Sequence, residues 1–230
     1  MLRILKITTW AGIGFALAWI IYGLLRYPAV LTAPPNGWLG LAAALLVFTL
    51  YALAVQFAAP RIARAFPAAL NAGAAAGFVM AGVFLASFLL EYFSNITGEQ
   101  DGVLALFLFG LFFLLFFGLG IGVTFQTGRS RAGVLAALVC ALLASLLWID
   151  ILWCTNFIFV STPLAAHFYE INGATSSFQG SHMANIETFV VSDNLGATFF
   201  HTLLAAIIAP ILGELGALIG YGAQRIFRRK

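Results

Sequence analysis

The residues in this chain best placed to do chemistry are few, and Glu214 leads them. It lies in the last long apolar stretch, GATFFHTLLAAIIAPILGELGALIGYGAQ, which ends against the basic run RIFRRK. Counted back from Arg225 at about 1.5 Å per helical residue, Glu214 lies roughly 16 Å up. That is near the middle of a hydrocarbon layer about 30 Å thick, where a carboxylate costs about 2.5–3.5 kcal/mol on insertion scales. Pro210 stands one turn earlier and deprives the Ala206 carbonyl of its helical donor. A midplane acid beside an interrupted backbone ladder suits a proton, a cation or an amine-bearing solute. Tyr51, about 15 Å above Arg61, is expected at matching depth as a partner for Glu214. The plainer reading is a protonated acid holding two helices together.

Asp150 and His201 form a second candidate pair. Asp150 lies about 28 Å from Arg131 and His201 about 36 Å from Arg225, both at the outer edge of the apolar layer. Their segments are consecutive, so the two are expected to meet near the mouth of a pathway.

Elements apolar enough to carry these groups follow from composition. Of 230 residues, 63% are hydrophobic and 8% charged, with a mean hydropathy of +1.04. A soluble domain has about 25% charged residues, so this chain reads as all-α and polytopic, a single six-helix transmembrane domain. The expected spans are about 7–25, 38–58, 67–90, 102–125, 132–155 and 196–222. Pro60 is expected to stop the second. Gly73, Gly77 and Ala81 recur every four residues in the third, which is therefore expected at the centre of the bundle. In the fourth, Gly118 and Gly122 are expected to form a close-packing patch. The fifth is expected to reach the interface with Trp148, Trp153 and Asn156. Residues 161–194 form a long polar loop, expected to be functional, partly folded or disordered.

Basic residues set the orientation. Ten of them (Arg3, Lys6, Arg61, Arg64, Arg129, Arg131, Arg225, Arg228, Arg229 and Lys230) fall on one side of the spans, and only Arg26 falls on the other. Such a bias places both termini in the cytoplasm, the 161–194 loop outside, and the protein in the plasma (inner) membrane of the cell. The net charge of +3 is scattered over short loops and indicates no nucleic-acid partner. Lipid is the expected surrounding, with further membrane subunits or a homo-oligomer as partners.

The motif search narrows the chemistry. His167, His182, His201, Glu170 and Glu187 lack metal-ligand spacing, and Cys140 and Cys154 are too far apart to bond. No metal or cofactor is expected. No GxSxG, HExxH or Walker lysine occurs, so an enzyme is the least favoured class. The expectation is a transport component, a permease, channel or solute-binding subunit for a small solute or ion. The alternative is a non-catalytic structural or assembly subunit of a larger membrane complex.

Overall fold

The computed structural model describes residues 1–32 and 37–227. Within them the chain forms a short 3-10 helix, Pro28–Leu31, and eight longer helices: α1 (Leu2–Arg26), α2 (Gly37–Ala65), α3 (Pro67–Phe93), α4 (Gly98–Thr127), α5 (Ser130–Phe159), α6 (Pro163–Ile171), α7 (Ala174–Ser181) and α8 (Ile186–Phe227). Six of these, all but α6 and α7, are long and apolar enough to cross a membrane. The sequence Pro-Asn-Gly at 35–37 is a turn signal, and its first two residues lie outside the described residues, as do Arg228, Arg229 and Lys230.

The helix at the centre is α5, not α3. It packs against α1, α3, α4, α6 and α8, and it buries the largest share of its apolar stretch. Its composition explains this. Ala132, Gly133, Ala136, Ala137, Cys140, Ala141 and Ala144 leave little side chain between backbones, so neighbours close in on every side. On α3, Gly73 and Gly77 do pack closely as expected, and what they meet is α5: the Ala136 carbonyl and the Leu143 side chain.

The outer part of α5 also departs from expectation. Trp153 is fully buried and donates its indole N–H to Thr198 Oγ1 at 3.3 Å. Asn156 is buried too and accepts a 3.2 Å hydrogen bond from Tyr92. These residues face protein because α8 and α6 cover them, which a count of residues along one helix does not show.

Pro60 does not end the second span. The chain widens into a π-turn at Ala54–Ala58, ending two residues before Pro60, which cannot donate a backbone hydrogen, and then continues as helix to Ala65. The polar 161–194 segment is largely helical. Thr162 caps α6, and α8 begins at Ile186, well before the expected start at 196. Within α6, Phe168 stacks on Tyr92 with ring centroids 4.3 Å apart, fastening the segment across the end of the bundle.

On α4 the close-packing glycine is Gly120, against the Gly213 carbonyl, while Gly118 and Gly122 have nothing within 4 Å of an added methyl. The bulky face of α4 instead includes Phe107, Phe109 and Phe113, which are exposed.

Candidate functional site

The small residues Ala209, Gly213, Gly216 and Gly220 recur at three- and four-residue steps, form one stripe of α8, and are buried. Gly216 lies against the Phe117 carbonyl, Gly220 against the Ile121 carbonyl, and Gly213 against Ala137 and Val134. Glu214 is therefore turned away from α4 and α5, and it is exposed on the outer face of the bundle. Its level differs from expectation as well. Gly213 sits opposite Val134, four residues or about 6 Å from the start of α5, so Glu214 lies toward the basic end rather than at mid-height.

Tyr51 is not its partner. The Tyr51 hydroxyl is buried and donates to the Leu142 carbonyl at 2.8 Å. The side chains of Ser145, Thr202 and Asp150 lie around it. Pro210 remains inside an uninterrupted α8 and joins no polar cluster.

Asp150 and His201 point to different sides of α5. The His201 ring packs at a tilt against Trp148, centroids 4.2 Å apart, while Asp150 turns toward α1. A methyl on Gly12 would come within 2.7 Å of Asp150 Oδ2, and Asp150 Oδ1 is buried with no hydrogen-bond partner among the described residues. The expected pair is thus separated, and a different one forms: Asp150 shares the polar interior with Tyr51.

This interior lies near the middle of the bundle. Tyr51 is about 21 Å from either end of α2, and Gly12 is about 15 Å from the start of α1 and 21 Å from its end. The inward-facing acid is Asp150, level with Gly12 of α1 and, along α5 itself, about 30 Å from the start and 14 Å from the end. The signal that finds it is Gly12, a small residue on an apolar helix that makes room for another helix's polar side chain.

Beside this cluster, α3, α4, α5 and α8 enclose a cleft with about 200 Å³ of room. Phe84, Phe112, Phe116 and Trp148 supply aromatic walls, and the polar side chains His201 and Ser145 face it. Phe109 and Phe113 also line it yet are 50% and 44% exposed, so the cleft reaches the outer face of the bundle along α4. Ser145 belongs to both sites, lining the cleft and approaching the Tyr51 hydroxyl.

No known protein family, curated protein or solved structure matches the chain. Among the described residues no three His, Cys, Asp or Glu side chains gather as a metal site would require. What the arrangement offers chemically is an internal carboxyl, a neighbouring phenol and two hydroxyls, next to an aromatic cleft.

Proposed function

We propose that this chain is a multi-pass membrane protein that handles a small solute or ion, with Asp150 as its charge-bearing group. The basic-residue bias supports a plasma (inner) membrane setting with both termini cytoplasmic. The observation that carries the reading is the Asp150 carboxyl, inside the bundle about 14 Å from the end of α5, with one buried oxygen that has no hydrogen-bond partner among the described residues. At such a depth an acid is expensive unless it binds a proton or cation, and polar groups there mark ion and solute pathways. Tyr51, Thr202 and Ser145 extend the polar path from Asp150 to the cleft.

The test is proton flux into liposomes that contain the full chain and a pH-sensitive dye, driven by an imposed potential. Asp150→Asn is expected to lower flux at least tenfold, and Glu214→Gln is expected to leave it within twofold. Wild-type flux in Asp150→Asn would remove this residue from any transport role.

A structural or assembly role is favoured by one observation, the exposure of Glu214 on the outer face of α8. An acid there invites cover from another polypeptide. Cysteine cross-linking from position 214 to a second chain in native membranes, combined with absent flux, would favour that role over transport.

A further inference from the structure

We propose that the cleft between α3, α4, α5 and α8 is a binding site for an uncharged lipophilic molecule carrying a hydrogen-bond donor, such as a long-chain or ring-bearing alcohol, taken up sideways from the bilayer. The walls set the body of the ligand. Phe84 and Phe112 lie 4.9 Å apart, Phe112 and Phe116 5.8 Å, and Phe84 and Trp148 6.4 Å, forming an aromatic trough that favours apolar chains and rings. No Asp, Glu, Lys or Arg side chain lines the cleft, and Asp193, the acid that interacts with His201, is not among its walls, so a charged group inside has no direct neutralising partner. That selects a neutral ligand.

His201 sets the polar end. Its Nδ1 lies 3.0 Å from the Ala197 carbonyl. A carbonyl only accepts, so in the neutral ring Nδ1 carries the hydrogen and Nε2 keeps its lone pair. With Nδ1 engaged on its own helix and the ring packed at a 32° tilt against Trp148, Nε2 is the free acceptor of a ring held at the cleft wall. It pairs with a hydroxyl hydrogen, not with an ether or an ester oxygen. Ser145 stands on the same wall and can accept or donate. The room available, about 200 Å³, falls below the ~300–1,000 Å³ of a typical drug-sized pocket. A single chain or a small ring system fits, with the remainder of a longer molecule leaving past Phe109 and Phe113. A whole phospholipid does not fit.

The cleft shares Ser145 with the Asp150 cluster, but its test is separable from the transport reading, because occupancy is measured without any flux. The full chain in phosphatidylcholine–phosphatidylglycerol liposomes is irradiated with a tetradecanol bearing a diazirine, or with the methyl ether of the same probe, and the labelled residues are mapped by mass spectrometry. The alcohol is expected to label the cleft saturably and at least fivefold more than the ether. His201→Leu is expected to abolish that preference, and His201→Gln, which keeps an acceptor, to retain part of it. Ala105→Trp, placed in the wall and independent of His201, is expected to lower cleft labelling at least fivefold. Labelling spread evenly over the exposed faces of α1, α4 and α8, or ether and alcohol labelling the wild type equally, would overturn the proposal.

Discussion

Asp150 Oδ2 occupies the space that a side chain on Gly12 would need, 2.7 Å from where its first carbon would stand. The two residues lie on different helices, α1 and α5, and each limits the other. Gly12 has no side chain and so leaves the acid room; anything larger than hydrogen at position 12 requires the carboxyl to move aside. Leu146 closes the same gap at 3.2 Å.

Enlarging Gly12 therefore has a graded outcome. Gly12→Ala is met by the movable end of a carboxylate and is expected to be mild. Gly12→Val is expected to cost about 1–3 kcal/mol, the usual range for overpacking. Combined with Asp150→Ala, the valine is expected to cost less than the sum of the single changes, by about 0.5–3 kcal/mol. Chemical unfolding of the purified protein in detergent measures all three, and strict additivity would refute the contact.

The glycines of α4 and α8 give a sharper contrast. Gly216→Ala pushes a methyl into the Phe117 backbone carbonyl, which cannot swing aside. A loss of about 1–3 kcal/mol is expected. Gly118→Ala and Gly122→Ala meet open space and are expected to be neutral, or to stabilise by up to about 1 kcal/mol through helix propensity. Thermal melting of the three variants side by side decides it.

Tyr92 has two separable roles. Tyr92→Phe keeps the stack on Phe168 but leaves buried Asn156 Oδ1 without its donor, for an expected loss of about 1–3 kcal/mol. Tyr92→Leu also loses the stack and is expected to cost about 0.5–1.5 kcal/mol more. Hydrogen exchange should show the additional loss as faster exchange in α6, 163–171, the segment that the stack fastens.

Thr202 offers a change in the opposite direction. Its hydroxyl is buried beside Tyr51 yet makes no hydrogen bond of good geometry among the described residues. Thr202→Val is expected to leave stability unchanged or raise it slightly, since an unsatisfied polar atom gives way to a methyl of similar shape. A drop above about 1 kcal/mol in chemical unfolding would mean that the hydroxyl is bonded after all.

The six long helices were legible in the sequence because an apolar run of sufficient length leaves few alternatives to helix. The facing of Glu214 away from the α8 stripe was legible too, from the 100° step between helical residues. Its depth was not. Counting rise along one helix assumes that all helices start in one plane and run parallel, whereas Gly213 meets α5 close to its beginning. The same assumption placed Asp150 at the rim. Gly118 and Gly122 show a different limit, since Gly118/Gly122 and Phe116/Gly120/Thr124 offer equal spacing on different faces of α4. Only the neighbour, Gly213, selects between them. Pro60 misled because a π-turn reconciles a proline with a continuing helix.

The length of α8 has a mechanical consequence. At 42 residues, about 63 Å, it is one continuous rod, with Val190 and Val191 buried near one end and Gln224 Nε2 bonded to the Phe125 carbonyl at the other. The small helices at one end are therefore joined to the opposite end by helix alone, with no loop between. Pro210, where the ladder lacks one rung, is the place where such a load bends the rod.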